Sequence, residues 1–343
     1  MVKVSNGEIV LESRTSLEFE NEGVLNPACV EKDGIVHMFY RAIGKKKIST
    51  IGYCQLKNNK VIYRSDKPVL FPEYFYEKKG LEDPRITFLE GKYYLLYTAY
   101  DGLNALVAYA TSTDLKTWIK KGLISPQISY NEAEALFKNS GVNEKYTFFG
   151  KIFRNERTDK VHLWEKDAML FPKKIKGKYA LIHRVLPGIQ ICYFNDFDQL
   201  NQNFWRDYFK ELNSYLILDP KYDFENGYIG GGAVPIETDK GWLLIFHSVD
   251  TENGFNTYHA SVALLDLDDP QKIIGRLCHP LFSPDEKWEI EGLVNNVVFP
   301  TGTYVKDDDL FIYYGAADSK IGFRKLSISN LLEELLNENE KTD

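Results

Sequence analysis

One phrase recurs five times along the chain and constrains its fold more than any other feature of the sequence. Each copy has a turn residue, usually glycine, followed by an alternating apolar run that ends near an aromatic residue or a histidine. The copies are DGIVHMFYR (33–41), EGKYYLLYT (90–98), KGKYALIHR (176–184), KGWLLIFHS (240–248) and DDDLFIYYG (307–315). Such alternation is typical of β-strands with one buried face.

Other short strands flank each copy, for example EDPRITFLE before the second copy and LVAYATSTDL after it. The turn residues are 57, 86, 64 and 67 positions apart, so the repeating unit has about 69 residues. Several short strands per unit, joined by polar turns without a crossover helix, are typical of a propeller blade. The sequence therefore predicts an all-β fold, a five-bladed β-propeller in which residues 1–343 form a single domain.

Two segments depart from this pattern. The 86-residue interval contains an insertion at about 128–160, which is either a loop near the binding face or a tolerated surface loop. Helical periodicity occurs only near 195–217 and in SNLLEELLNENE, where it predicts a short C-terminal helical tail at about 329–340. The insertion and the tail are candidate contact surfaces for a homo-oligomer.

Charge and hydropathy narrow the range of partners and compartments. The net charge of −7 argues against a nucleic-acid partner, which favours a positive surface. No stretch approaches the ~20 apolar residues of a membrane span, and the N-terminus lacks an apolar signal region. We therefore expect a cytoplasmic protein without a membrane partner. The cysteines are scattered, without a CxxC pair, and are expected to be buried free thiols: Cys29, Cys54, Cys192 and Cys278.

Polar residues recur at the same positions of the repeat. In a propeller the innermost strands line a central channel, and their first residues surround one mouth. Those positions hold Asn26, Asp83, Asp167, the run Gly230–Gly232 and Asn295. The following strands end at or near Arg41, His183, Arg184, His247 and Asp318. The repeat thus brings carboxylates, arginines and histidines to one place.

The chemistry of this set points to phosphate and to a proton donor. Lys166, Arg184, His247 and Arg41 form a set of cations that could hold a phosphate. Asp83 is a candidate general acid, because burial and the neighbouring Glu82 would both favour its protonated form. With no Ser-His-Asp arrangement and no P-loop, this set fits displacement at a sugar carbon by phosphate. Inorganic phosphate would be the co-substrate, without a metal or an organic cofactor.

At these residues the sequence resembles glycoside hydrolase family 130, the β-mannoside phosphorylases, whose members are five-bladed propellers. The resemblance runs in order from about residue 20 to 325, through GLEDPRIT (80–87), YTAYDG (97–102), EKDAMLFPKKIKGKYALIHR (165–184), GWLLIFHS (241–248) and IYYGAAD (312–318). It implies inverting transfer of a non-reducing β-mannosyl residue from a β-mannoside to phosphate, which gives α-mannose 1-phosphate.

The same resemblance implies roles for individual residues. Asp83 would be the general acid, acting through the 3-hydroxyl of the bound mannose. Phosphate would be bound by Lys166, Arg184 and His247. Substrate would be bound by Asn26, Arg41, Arg85, Asp167 and Asp318. Many relatives carry arginine where this chain has Lys166, a change that keeps the charge and loses the fork geometry of a guanidinium.

Two alternatives remain open at this point. An inverting β-mannosidase of the same family would need a second carboxylate to activate water, for which the candidates are Glu225, Glu291 and Asp223. A non-catalytic glycan-binding propeller would stack sugars on exposed aromatic residues, for which the candidates are Tyr40, Tyr97, Tyr100 and Trp288. The acceptor sugar and its linkage, β-1,2 or β-1,4, depend on loops that the pattern does not define.

Overall fold

β-Strands joined by short turns make up most of the chain. The computed structural model describes residues 1–147 and 161–339. The strands are β1 (Glu8–Leu11), β2 (Gly23–Lys32), β3 (Ile35–Ile43), β4 (Ser49–Lys57), β5 (Lys60–Arg64), β6 (Gly80–Leu89), β7 (Lys92–Tyr100), β8 (Ala105–Ser112), β9 (Ile119–Leu123), β10 (Lys166–Leu170), β11 (Tyr179–Arg184), β12 (Ile189–Phe194), β13 (Leu216–Leu218), β14 (Tyr228–Gly231), β15 (Ile236–Glu237), β16 (Trp242–Asp250), β17 (Thr257–Leu265), β18 (Ile273–Arg276), β19 (Val298–Lys306), β20 (Asp309–Ala316) and β21 (Lys320–Ser327). The α-helices of the described residues are α1 (Tyr130–Phe137), α2 (Gln202–Lys210), α3 (Lys287–Ile290) and α4 (Ile328–Asn339). The predicted all-β fold with a small C-terminal helix is confirmed.

The strands form successive antiparallel groups along the chain. The first two groups, β2–β5 and β6–β9, are bridged by one parallel pair between Ser49 and Gly80. The next three groups, β10–β13, β14–β18 and β19–β21, are separate sheets. β1 joins the last group by pairing antiparallel with β21, so the first and the last strand of the chain lie in one sheet. Each group contains one copy of the repeated phrase, in β3, β7, β11, β16 or β20.

The turn glycines of the phrase have a structural reason. Gly34, Gly91 and Gly177 have φ values of 74°, 79° and 78°, and the residue before each of them is also left-handed. A two-residue type I′ hairpin requires positive φ at both central positions, which glycine adopts without a steric cost. The recurring glycine therefore marks the tight turn between the first two strands of a group.

The apolar core is divided into clusters between neighbouring groups. Separate clusters lie between the first and second, second and third, third and fourth, and fourth and fifth groups. A further cluster packs the last group against the first, with Tyr313 and Phe323 against Met38 and Cys54. Each group is thus buried on both faces by its neighbours.

The helices agree in part with the sequence pattern. The periodicity near 195–217 corresponds to α2, and the predicted tail corresponds to α4, except that residue 340 lies outside the described residues. The insertion contributes α1, whose Phe137 ring contacts the ring of Phe209 in α2 at 5.3 Å between centroids. Residues 148–160 of the predicted insertion lie outside the described residues.

The four cysteines are free, but they differ in exposure. Cys54 and Cys192 are buried as predicted, whereas Cys29 is half-buried and Cys278 is exposed. The prediction is wrong for Cys278 because it lies just after the short strand β18, at the surface. Among the helices of the described residues, none is long and apolar enough to cross a membrane.

Candidate active site

An open pocket of about 630 Å³ lies among the first strands of the groups. These strands meet there, since β2 contacts β19 and β6, and β10 contacts β6 and β14. The pocket is lined by Asn26, Arg41, Asp83, Lys166, Asp167, Arg184, Tyr228, His247, Tyr258, Val294, Val297, Phe299 and Asp318. Of the nine site residues expected from the sequence, all but Arg85 line it.

The same local backbone feature directs three of these side chains into the pocket. Asn26, Asp83 and Asp167 have left-handed φ values of 48°, 49° and 58°. Each lies where the register of β2, β6 or β10 shifts against the next strand, as at a β-bulge. Asn and Asp tolerate this conformation better than other non-glycine residues, and a bulge redirects a side chain. One consequence is that Asn26 Nδ2 donates to Asp83 Oδ1 at 2.7 Å.

Glu82 holds two of the cations in place. Its Oε1 accepts a hydrogen bond from Arg41 Nη2 at 2.7 Å, and its Oε2 lies 3.3 Å from Lys166 Nζ. Arg41 also reaches Asp83, with Nη1 3.4 Å from Oδ1. Burial opposes the charges of Arg41 and Lys166, but Glu82 and Asp83 outweigh it and raise the pKa of both groups.

The protonation of Asp83 differs from the expectation. Burial favours its neutral form, but Arg41, Lys166 and the Asn26 hydrogen bond outweigh burial and lower the pKa of the Asp83 carboxyl. The expected increase is wrong because Glu82 pairs with the two cations and brings them close to Asp83. In the free protein Asp83 is therefore a carboxylate at neutral pH.

Arg85 lies beneath the pocket and does not line it. Its side chain is 1% exposed, and its guanidinium donates to the main-chain carbonyls of Asp83, Gly231 and Gly232. Its Nη2 also lies 3.8 Å from Asp167 Oδ1. The sequence-based assignment of Arg85 to substrate binding does not match this position. Arg85 instead fixes the backbone beside Asp83 and is a positioning residue.

Arg184 and His247 line the part of the pocket next to Asp167 and Gly230. Arg184 Nη1 lies 2.6 Å from Asp167 Oδ2. The ring of His247 packs against Gly230, where a Cβ would lie 2.4 Å from its Cε1, so glycine is required for this close approach. Among the described residues, Nε of Arg184 and both ring nitrogens of His247 have no hydrogen-bond partner. Such buried, unpaired polar atoms indicate a site that a polar ligand completes.

His247 is not one of the cations that the sequence suggested. Burial lowers the pKa of the His247 imidazole to about 3, and the positive charges of Arg184 and Arg85 act in the same direction. The negative charge of Asp167 opposes this shift. The ring is therefore neutral at physiological pH and offers one donor and one acceptor.

Asp318 is the pocket carboxyl whose neutral form is favoured. Burial, together with the charges of Asp83 and Glu82, raises its pKa to about 6 despite the opposing charges of Arg41 and Lys166. Between about pH 4 and pH 6 the folded protein therefore holds a proton on Asp318 that the unfolded chain has released. The stabilisation that this proton gives is lost as the pH rises through that window.

We expect Asp318→Asn to stabilise the protein at pH 7.5, by up to about 3 kcal/mol in the free energy of unfolding. The difference should shrink at pH 4.5, where the wild-type carboxyl is largely protonated. Thermal unfolding at both pH values measures it, with the exposed Asp307→Asn as the control. A difference of equal size at both pH values would contradict the raised pKa.

Several residues named from the sequence lie elsewhere. Tyr40 and Tyr97 are buried, with their hydroxyls bonded to Glu20 and Glu77 at 2.7 Å, so they cannot stack on a sugar. His183 is buried against Glu165 and Tyr208. Glu225 is buried and forms an ion pair with Arg276. The residues named from the sequence that also do not line the pocket are Glu225, Asp223, Glu291, Asn295, Tyr100 and Trp288.

Two tyrosines of the pocket were missed by the sequence interpretation. The hydroxyls of Tyr228 and Tyr258 are 2.6 Å apart, and the Arg184 guanidinium lies 5.4 Å from the Tyr228 ring centre. A signal existed for Tyr228, because it lies two residues before the glycine run at one of the repeat positions. Tyr258 is the second residue of β17, outside the recurring phrase, where no such signal exists.

Comparisons with known proteins identify the family of the chain. The model of glycoside hydrolase family 130, described as beta-1,4-mannooligosaccharide phosphorylase, matches residues 10–337. The chain is 34% identical over 333 residues to a 1,2-beta-oligomannan phosphorylase from Thermoanaerobacter sp., which covers 94% of this chain and 96% of that protein. It is 37% identical over 322 residues to a beta-1,2-mannobiose phosphorylase of the same organism, with 89% and 90% covered.

A solved structure of the same family has a similar fold. This structure is described by the statement that the GH130 family of mannoside phosphorylases contains glycoside hydrolases that target beta-1,2 mannosidic linkages in Candida mannan. It is 25% identical to this chain, with a TM-score of 0.72 over 94% of this chain and 92% of the other. The family match covers nearly the whole sequence and includes the pocket. The chain therefore belongs to glycoside hydrolase family 130, as its motifs predict.

Proposed function

We propose that the protein is an inverting β-mannoside phosphorylase, which transfers a non-reducing β-mannosyl unit to inorganic phosphate and releases α-mannose 1-phosphate. The observation that carries this proposal is the set of unpaired nitrogens on Arg184 and His247, beside Asp167 in the pocket that Asp83 also lines. A guanidinium and a neutral imidazole donate hydrogen bonds to a phosphate, and Lys166 adds a positive charge.

Asp83 would act as the proton donor only once both substrates are bound. In the free protein Arg41 and Lys166 keep it ionised. A bound phosphate dianion would offset these positive charges, and a bound sugar would exclude water, and both effects raise the pKa of a carboxyl group. The proton would then pass, through the sugar 3-hydroxyl, to the leaving oxygen as the anomeric C–O bond breaks.

The phosphate oxygen would form the new bond to the anomeric carbon from the opposite face, which inverts its configuration. Asn26, Arg41, Asp167 and Asp318 would hold the mannosyl unit, since they line the pocket around Asp83. The reaction needs no metal and no organic cofactor, because phosphate is itself the nucleophile. The partners in this proposal are a β-mannoside and inorganic phosphate.

Hydrolysis is the second candidate, and Asp318 is the observation that favours it. An inverting hydrolase needs a carboxylate to activate water. The carboxylates that line the pocket are Asp83, Asp167 and Asp318, and Asp167 pairs with Arg184. Asp318, with its pKa near 6, is the group that could take a proton from water. The unpaired donors on Arg184 and His247 favour phosphate over water as the nucleophile.

We further propose β-1,2-linked manno-oligosaccharides as the substrates, since the two Thermoanaerobacter relatives carry that linkage in their names. The test supplies phosphate with β-1,2-mannobiose, β-1,2-mannotriose or β-1,4-mannobiose and measures the release of mannose 1-phosphate. We expect faster release from the β-1,2-linked sugars. Faster release from the β-1,4-linked sugar would overturn this assignment and favour the activity that describes the family model.

The arrangement of the groups supports a five-bladed propeller as one domain. The apolar clusters join each group to the next and the last group to the first. β1 completes the sheet that ends with β21, which is how a ring of blades is closed. We also propose a cytoplasmic location, because all four cysteines are free and the reaction uses inorganic phosphate.

A further inference from the structure

A cluster of metal-binding side chains lies outside the pocket, where α4 packs on β18. Cys278 and His279 follow β18, and Glu334 and Glu338 lie one turn apart on α4. Within the part of the chain that the structure describes, His279, Glu334 and Glu338 each place one ligand atom within 4.8 Å of the other two. We propose that these three residues and Cys278 form a zinc site that fastens the C-terminal helix to the fourth group of strands.

The separations among the ligand atoms of His279, Glu334 and Glu338 fit three corners of a tetrahedral site. His279 Nε2 lies 3.2 Å from Glu334 Oε1 and 3.7 Å from Glu338 Oε1. Cys278 Sγ lies 3.5 Å from Glu338 Oε1. Zinc bonds of 2.0–2.3 Å in a tetrahedron separate neighbouring ligand atoms by about 3.3–3.6 Å. Small adjustments of His279, Glu334 and Glu338 would therefore be enough to hold the ion, and Cys278, which contacts Glu338, would turn its thiol towards it as the fourth ligand.

The orientation of His279 favours metal binding through Nε2. Its Nδ1 lies 2.9 Å from the carbonyl oxygen of Pro280, which can only accept a hydrogen bond, so Nδ1 carries the hydrogen. Nε2 points towards the two carboxylates, and an ion bound between them would take the place of the hydrogen that Nε2 shares with them. Zinc-binding histidines are held in the same way, by a hydrogen bond from the nitrogen that does not bind the metal.

Both carboxylates are already oriented by main-chain amides. Val2 N–H donates to Oε2 of Glu334, and Cys278 N–H donates to Oε2 of Glu338 at 3.0 Å. The Oε1 atom of each carboxylate therefore faces His279. The amino group of Met1, 3.6 Å from Oε1 of Glu334, is a competing cation that a metal ion would displace.

The chemistry of the ligands selects among metals. A thiolate and an imidazole favour zinc and related transition metals, whereas calcium and magnesium prefer sites made only of oxygen. A thiolate with two carboxylates also carries three negative charges, of which a divalent cation offsets two. Because metal binding requires the thiol to lose its proton, affinity should rise with pH.

The test uses the full chain after removal of metals with a chelator. Co²⁺ serves as the spectroscopic probe, and calorimetry measures Zn²⁺ binding. We expect one equivalent of each, the visible absorption of tetrahedral Co²⁺ and a thiolate-to-cobalt charge-transfer band. Zn²⁺ should also raise the melting temperature. Cys278→Ser should lose the charge-transfer band, and His279→Ala should lose stoichiometric binding.

Glu334→Gln and Glu291→Gln form a matched pair of variants, since Glu291 is an exposed carboxylate outside the cluster. Glu334→Gln should weaken Zn²⁺ binding, and Glu291→Gln should leave it unchanged. A cooperative thermal unfolding transition of each metal-free variant shows that it is folded. The proposal is overturned if the wild type binds less than one equivalent, if its Co²⁺ spectrum is octahedral, or if His279→Ala binds as well as the wild type. None of these results would bear on the proposed phosphorylase activity.

Discussion

Replacing Asp83 with asparagine should lower the rate of mannose 1-phosphate formation by about 10²- to 10⁴-fold, the usual contribution of general acid catalysis. An amide has the same shape as the carboxyl group but cannot donate the proton that the leaving oxygen requires. The backbone should remain unchanged, because asparagine also adopts the left-handed φ of 49° found at this position. The measurement is the initial rate of phosphorolysis with both substrates saturating.

Asp307→Asn is the matched control for this variant. Asp307 is exposed, lies in the turn between β19 and β20, and has a similar φ of 54°. It should keep wild-type activity. If Asp83→Asn also kept more than about a tenth of the activity, Asp83 would not be the acid. Asp318, with its pKa near 6, would then become the candidate.

Arg184→Gln should raise the KM for phosphate by about 10- to 100-fold, the value of one charge-assisted hydrogen-bonding group. The KM for the mannoside should change much less, because Arg41 and Asn26 lie on the side of Asp83. Initial rates with each substrate varied in turn separate the two effects. The substitution removes the Arg184 partner of Asp167, which keeps Arg85 as a neighbouring cation. Thermal unfolding of the variant checks that this loss does not destabilise the fold.

Arg206→Gln is the control for the loss of an arginine. Its guanidinium pairs with Glu132 at 2.7 Å, on the exposed side of α2. Both KM values of this variant should equal those of the wild type. An unchanged KM for phosphate in Arg184→Gln would show that phosphate does not bind at Arg184. Equal increases in both KM values would show that Arg184 supports the whole pocket instead.

The strands and the composition of the pocket could be predicted because both follow from local rules repeated five times. Alternating apolar residues define a strand pair in every copy of the phrase, and in three copies a glycine marks the type I′ turn between the two strands. Asn26, Asp83 and Asp167 occupy one repeat position, and a bulge there gives all three the same direction. Repetition therefore predicted which side chains meet without any knowledge of long-range contacts.

Burial and charge could not be predicted in this way, because they depend on partners far apart in sequence. Arg85 looked like a substrate-binding residue, but the carbonyls of Gly231 and Gly232 surround it. Glu82 was expected to raise the pKa of Asp83, but it gathers Arg41 and Lys166, and these cations lower that pKa. Asp318 has the raised pKa instead, which no local pattern indicates.

Phosphate dependence with identification of the anomer tests the central proposal most directly. Proton and phosphorus NMR would follow the reaction of β-1,2-mannobiose with and without inorganic phosphate. We predict that α-mannose 1-phosphate and mannose appear together in equal amounts when phosphate is present, and that turnover stops when it is absent. Release of two mannose molecules at the same rate without phosphate would contradict the proposal and identify the protein as a hydrolase.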